Sequence, residues 1–326
     1  MTGAVEQYRQ LIDESLAGLE LPARPDSLYA PVRYMISLGG KRMRPVMVLL
    51  ANELFGGDKY KALPGALAIE VFHNFTLLHD DIMDKAPIRR GKETVHEKWN
   101  SDIAILSGDA MFVKSCQLML ESARANDTPG IMELFFKTAL DVCEGQQMDM
   151  DFATGNGVSI DNYLEMIRLK TAVLLGCSLG IGAGMAKASA ESVAHMYDFG
   201  VNLGVAFQLQ DDILDVYGSQ EKFGKQVGGD IISNKKTFLM LTALSSARGS
   251  TKQELESWLE RTDFNSKEKV EAVRQIYDRL EVRISAQKKM DELYREALLH
   301  LDALPLTSIQ TMPLRELAAV LMDREN

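Results

Sequence analysis

Proline placement constrains this chain more than any other feature. Seven prolines (Pro22, Pro25, Pro31, Pro45, Pro64, Pro87 and Pro129) punctuate its first part, and the next is Pro305. The long interval between Pro129 and Pro305 is rich in Leu, Ala, Met, Glu and Lys, side chains that lose little freedom in a helix. Alternating Val/Ile/Thr runs are scarce, and no Asn-Gly or Asp-Gly turn joins such runs, which disfavours sheet. Apolar periodicity predicts helices over about 3–20, 26–38, 42–55, 62–84, 101–124, 129–153, 159–187, 189–217, 234–248, 252–261, 266–300 and 307–323. Asp26 and Ser266 mark two expected N-cap regions. Residues 218–233 hold four glycines and read as a loop. No linker separates two cores and no solenoid repeat is present. The expected architecture is all-α: a single domain, 1–326, as a helical bundle around a central apolar cavity.

Charge narrows the function. The 46 acidic residues outnumber the 36 basic ones, for a net charge of −10. That balance excludes indiscriminate binding to nucleic acid or anionic lipid, which needs clustered positive charge. Three cysteines (Cys116, Cys143, Cys177) are too few and odd in number for a disulfide framework. They point to a reducing, cytoplasmic setting. The opening MTGAVEQYRQ lacks an apolar signal region, so no leader is expected. The longest uncharged run, at 171–186, falls short of the roughly 20 residues a membrane span requires.

Six aspartates sit in two matching pentapeptides, Asp80-Asp81-Ile-Met-Asp84 and Asp211-Asp212-Ile-Leu-Asp215. Each ends an apolar helical run. Residues four apart share a helix face, so Asp80 and Asp84 point together, as do Asp211 and Asp215. Like charges at that spacing repel, and Asp is a poor helix former. The two motifs therefore read as carboxylate walls across a cavity with positive charge between them. Oxygen-only donors select hard divalent cations, and Mg2+ commonly shares one or two carboxylates with substrate phosphates. Two solvated helix ends are the plainer alternative, and the duplication with matching apolar approaches weighs against it.

Basic groups follow the same logic. Leu38-Gly-Gly-Lys-Arg-Met-Arg-Pro45 places two glycines before a helix start, where free backbone N–H groups form an anion site. Lys41 and Arg44 are expected to share a face of that helix. Arg89-Arg90-Gly91, Lys170-Thr171, and Lys225 and Lys235 around the glycine-rich loop complete the set. Each alone reads as a surface charge; together they match a site for two polyphosphate groups.

With these residues in place, the chain resembles the trans-isoprenyl diphosphate synthases, the polyprenyl synthetase family, over nearly its whole length. The matching elements are GGKRMRP, HNFTLLHDDIMDKAPIRRG, EGQQMD, KTA, FQLQDDILD and GKQVGGDIISNKKT. The resemblance implies the isoprenoid synthase type of helical fold and a Mg2+-dependent condensation of isopentenyl diphosphate with an allylic diphosphate (dimethylallyl, geranyl or farnesyl). It implies that Asp80, Asp84 and Asp211 ligate Mg2+, with Asp81, Asp212 and Asp215 acting mainly through water. Arg89, Lys170, Lys225 and Lys235 are implied to contact the allylic diphosphate, and Gly40, Lys41, Arg44, His73 and Arg90 the isopentenyl diphosphate. Thr171 and Gln208 are implied to stabilise the allylic cation. Asn234-Lys235 stands where many similar chains have Gly-Lys. Similar enzymes are homodimers through helices such as 101–124 and 129–153, which are apolar here on more than one face.

Phe75 and Thr76, five and four positions before Asp80, fall where the family sets product length. A bulky aromatic there acts as a floor, although an ordinary core phenylalanine would show the same periodicity. The single aromatic, Thr76, and the absence of an insertion in DDIMD resemble geranylgeranyl more than farnesyl synthases, so a twenty-carbon product is expected ahead of fifteen carbons. Two other classes compete. Glu70-x-x-His73 and Glu93-x-x-His96 show di-iron carboxylate spacing, but Pro87 and Gly91 lie between them. A terpene cyclase shares the first aspartate motif but usually carries an Asn/Asp-x-x-Ser/Thr-x-x-x-Glu motif where this chain has DDILD.

Overall fold

The computed structural model describes residues 3–155, 157–218 and 228–323. It is helical almost throughout: α1 Gly3–Ala17, α2 Asp26–Ser37, α3 Met43–Leu54, α4 Lys59–Met83, α5 Val95–Lys98, α6 Ser101–Asn126, α7 Gly130–Thr154 and α8 Ile160–Ile167. A π-helical turn, Arg168–Ala172, joins α8 to α9 Val173–Met185. Then follow α10 Ala190–Tyr217, α11 Gly229–Ile232, α12 Phe238–Ser246, α13 Gly249–Glu260, α14 Ser266–Arg279, α15 Val282–Asp302 and α16 Ser308–Met322. The all-α expectation holds.

Polar caps start several helices by supplying acceptors to otherwise unpaired N–H groups. Asp58 accepts from Tyr60, Asn100 from Ile103, and Ser159 closes a capping box with Asn162. At the two expected caps the structure differs. Asp26 is the first helical residue, behind Pro25, and α14 is capped by Asn265, one residue before Ser266. The helix expected over 266–300 breaks at Glu281, whose φ of 54° lies in the left-handed region. A two-strand hairpin, β1 Ile88–Arg89 and β2 Lys92–Glu93, was not expected. Its turn residues Arg90 and Gly91 both have positive φ (53° and 75°), as a tight primed turn requires. Part of the expected loop 218–233 is helical, as α11.

The chain groups into two compact units. One comprises Met1–Lys137, Cys177–Tyr197 and Pro305–Glu316. Its spine is α4 against α6, with α3 beside α4. Arg42, the residue before α3, has φ 53° and is buried, with its guanidinium on Glu70 (2.6 Å) and Asp13 (2.9 Å). Two backbones nearly touch at Gly182, where a β-carbon would lie 2.3 Å from the Val48 carbonyl oxygen.

The other unit comprises Thr138–Gly176, Asp198–Leu304 and Leu317–Asn326. Here the π turn and the start of α9 are pressed from two sides. A β-carbon on Gly145 of α7 would lie 2.2 Å from the Lys170 nitrogen, and on Gly204 of α10, 2.7 Å from the Ala172 Cα. Gly200 meets Gly176 in the same way. The small residues of this stretch thus serve close helix packing.

The 26-residue helices 101–126 and 160–185 are both long and apolar enough to cross a membrane, which the uncharged run alone did not indicate. In the second, 83% of the most apolar window is buried inside the protein, so its composition is that of a core helix. In the first only 39% is buried, and Leu106, Val113 and Leu120 recur at seven-residue spacing on its exposed side.

Gly182→Ala should lower stability by roughly 1–2 kcal/mol, because the clash with a backbone oxygen outweighs the ~1 kcal/mol that alanine gains in a helix. Chemical denaturation measures this; an unchanged midpoint would contradict the close packing.

Candidate active site

The first aspartate motif closes α4. Asp80 and Asp81 occupy its last turn and Asp84 is the residue just past its end. Asp81 points inward and is buried. The hairpin β1–β2 turns the chain back so that Arg89 Nε donates to Asp81 Oδ2 at 2.7 Å, with Arg89 Nη2 3.9 Å from Asp80. Burial raises the Asp81 pKa, and the Arg89 hydrogen bond and charge oppose that rise. Asp81 Oδ1 is buried without a protein partner. Arg89 therefore serves the aspartate motif directly, a pairing the sequence did not show.

Beside this motif lies a cluster of cations. Lys41 precedes α3 rather than sitting on it, so Lys41 and Arg44 do not share a helical face as expected. Arg44 Nη1 is 3.3 Å from His73 Nε2 on α4, and Arg44 Nε is buried with no acceptor. Burial lowers the Arg44 pKa to about 10, leaving it charged at neutral pH. Arg90 donates to the Gly39 carbonyl and lies across Gly40, where a β-carbon would meet its guanidinium at 3.0 Å. The His73 pKa is held well below its usual value by burial and then by Arg44, Arg90, Arg89 and Arg42. Arg42 is matched by Glu70 and Asp13, and Arg89 by Asp81. The buried unsatisfied donor on Arg44, next to a neutral histidine, marks where an anion would be accepted.

Phe75 lies one turn before these aspartates within an aromatic cluster. Its ring centre is 5.5 Å from Phe72, 5.4 Å from Phe112 and 4.8 Å from His79. Phe72 in turn meets Phe135 at 5.4 Å. Thr76 donates its hydroxyl to the His73 carbonyl.

The second motif lies within α10. Asp212 is buried and accepts from the Tyr163 hydroxyl at 2.5 Å and from Gln208 Nε2 at 3.4 Å. Its pKa is pushed up to about 7, chiefly by burial; Asp230 adds to the rise, while Tyr163, Lys235 and Gln208 oppose it. Asp215 Oδ2 accepts the Asp230 N–H at 3.0 Å. Lys170 and Thr171 occupy the π turn, a feature frequent at functional sites, and Lys170 Nζ is 2.6 Å from Asp149 Oδ2. Asp149 and Tyr163 were not singled out from sequence. Asp149 lies in the EGQQMD element, which pointed to it without giving it a role. Nothing local marks Tyr163, whose partner is 49 positions away. Lys225 lies outside the described residues.

Among the described residues no three His, Cys, Asp or Glu side chains converge into a ready-made metal cage. The donors on offer are carboxylate oxygens in pairs spaced four apart, which suits Mg2+: it keeps much of its water and takes one or two carboxylates together with substrate phosphate. The residues therefore fit that ion better than a soft or imidazole-seeking metal. The di-iron alternative fails on its own residues: Glu70 is bound by Arg42 and Asn74, and Glu93 lies in β2 with its carbonyl on Tyr34.

Comparison with known proteins agrees with this geometry. The polyprenyl synthetase family model matches residues 25–278. A geranylgeranyl diphosphate synthase of Methanosarcina mazei is 40% identical over 235 residues, 71% of this chain and 72% of its own. A geranylfarnesyl diphosphate synthase of Natronomonas pharaonis is 36% identical over 258 residues, 74% of this chain and 75% of its own. The crystal structure of a geranylgeranyl pyrophosphate synthase superposes with a TM-score of 0.93 at 40% identity, covering 100% of both chains. The chain belongs to the polyprenyl synthetase family. Its activity is that of a trans-prenyltransferase, an isoprenyl diphosphate synthase.

His73 gives a pH signature. It is neutral in the fold, whereas the unfolded chain takes up its proton below about pH 6.5. Its share of stability is present above that pH and is lost as pH falls. Between pH 7.5 and 5.5 the wild type should lose about 1 kcal/mol more than His73→Gln. Thermal denaturation at the two pH values checks this; parallel losses would contradict it.

Proposed function

We propose that this chain condenses isopentenyl diphosphate with allylic diphosphates to a short-chain product, geranylgeranyl diphosphate, as one polyprenyl synthetase domain acting as a cytoplasmic homodimer. The observation that carries the reading is the concentration of positive charge at Arg44 and Arg90 around a neutral His73, next to a paired-carboxylate helix end. In this reading Gly40, Lys41, Arg44, His73 and Arg90 hold the isopentenyl diphosphate, the backbone of Gly40 allowing Arg90 to lie close. Asp80, Asp84 and Asp211 hold Mg2+, with Asp81, Asp212 and Asp215 supporting them. Bound Mg2+ supplies positive charge against the diphosphate oxygens as the allylic C–O bond breaks. Arg89, Lys170, Lys225 and Lys235 neutralise the same leaving group. Asp149 holds the Lys170 ammonium in place. Thr171 and Gln208 present oxygen dipoles to the allylic cation. The isopentenyl double bond attacks it, and the departed diphosphate takes up the released proton.

Support for the twenty-carbon length comes from Phe75. Phe72 and Phe112 back its ring, so it does not swing aside freely. The Methanosarcina relative is named for the twenty-carbon product and the Natronomonas relative for the twenty-five-carbon one. Fifteen carbons is the second reading. Support for the dimer is the exposure of Leu106 (61%), Val113 (56%) and Leu140 (65%) on α6 and α7. Cys116, Cys143 and Cys177 form no disulfide, which agrees with a reducing compartment.

Incubation with Mg2+, isopentenyl diphosphate and labelled dimethylallyl, geranyl and farnesyl diphosphates should give geranylgeranyl diphosphate, and EDTA should abolish turnover. A cyclised hydrocarbon, or no condensation with any primer, would overturn the reading. Phe75→Ala should lengthen the products by one or more five-carbon units; an unchanged product distribution would remove Phe75 from the floor.

A further inference from the structure

Lys269 on α14 is completely buried (0% exposed) and has no role in the chemistry described above. Its ammonium donates to Asn234 Oδ1 at 2.7 Å and to the Ile232 carbonyl at 3.3 Å, and lies 4.2 Å from the centre of the Phe264 ring. Among the described residues these are its partners, and none is a carboxylate. A buried ammonium held by neutral groups is a costly substitute for an apolar side chain. What it holds explains its presence.

Its two hydrogen-bond acceptors belong to the segment that delivers Lys235. Asn234 has φ 54°, a conformation strained for most side chains. Its side chain is gripped from two directions, Oδ1 by Lys269 and Nδ2 by donation to the Leu259 carbonyl at 2.9 Å. On the other side of Lys235, Lys236 donates to the Phe152 and Gly155 carbonyls at the end of α7. The Lys235 N–H donates to the Asp230 carbonyl at 2.9 Å, and the Asp230 N–H to Asp215. Lys235 is thus fastened before and after, and through Asp230 to the second aspartate motif. A glycine at 234 would take a positive φ freely but offer Lys269 nothing to hold.

We propose that Lys269 is a positioning residue: through Asn234 it fixes the left-handed turn that aims the Lys235 ammonium at the allylic diphosphate. This rests on the role given to Lys235 under the proposed function.

Steady-state kinetics of the full-length enzyme with Mg2+, varying each diphosphate in turn, tests it on Lys269→Met, Asn234→Gly, Asn234→Asp, Lys235→Ala and the Lys269→Met/Lys235→Ala pair. Lys269→Met should raise the allylic KM about tenfold while the isopentenyl diphosphate KM stays within about twofold. Asn234→Gly, which keeps the turn unstrained but removes the grip, should do the same, and it carries the test should Lys269→Met fail to fold. Asn234→Asp keeps the acceptor for Lys269 but loses the donor to Leu259, and should raise the allylic KM clearly less than Asn234→Gly does. On the Lys235→Ala background Lys269→Met should add less than about twofold, since both act through one ammonium. Equal rises in both KM values, or full multiplication of the two single effects, would overturn the proposal and make Lys269 a plain core residue. A normal allylic KM in Lys235→Ala would instead overturn the role of Lys235, and this inference with it. A defect in Lys235→Ala but not in Lys269→Met or Asn234→Gly overturns the inference alone.

Discussion

Carboxylates crowded on a helix end repel one another, and the candidate site of this enzyme is organised around that repulsion. Like charges three or four apart on a helix destabilise it, so three aspartates within five residues call for compensation. The two motifs solve this differently. At α4 the compensation is ionic: the β1–β2 hairpin returns Arg89 to Asp81. In α10 the hydrogen bonds come from neutral groups, the Tyr163 hydroxyl and Gln208 to Asp212 and the Asp230 backbone to Asp215, while the Lys235 charge also bears on Asp212. In both motifs the middle aspartate is the buried one, and protein side chains bond it.

How much of this was legible in the sequence depended on distance along the chain. The helices follow from apolar periodicity and proline spacing, both local, and nearly all expected helices are present. The break at Glu281 was hidden because the apolar pattern continues through it, and the reversal lies in one backbone angle. The β1–β2 hairpin was hidden because Arg-Gly lacks the side chains that ordinarily advertise a primed turn. The aspartate motifs stand out through repetition. Arg42 reads from sequence as one more cation in GGKRMRP, yet Glu70 and Asp13, 28 and 29 positions away, take it out of the binding set. Tyr163 and Lys269 are likewise defined by partners the sequence does not place beside them.

The acidic balance of the chain looked ill suited to a diphosphate enzyme. The cations solve this by concentration: Arg44, Arg90, Arg89 and Arg42 all bear on His73 and, after burial, help keep it neutral. Two of the four are matched by carboxylates, and the remainder present local positive potential on a protein of net charge −10. Net charge governs what approaches from afar, and the local arrangement governs what binds.

The π turn at Arg168–Ala172 carries one further consequence. An α-helix advances about 100° per residue, so one extra residue within a turn rotates everything after it by that amount relative to everything before. The faces of α8 and α9 are therefore out of phase. Tyr163 reaches Asp212 from one angular setting, while Ala172 and Gly176 meet α10 from another. An unbroken α-helix through 160–185 could satisfy one of these contacts but not both. Lys170 and Thr171 stand where the phase slips, so the residue count of that turn is itself a part of the site.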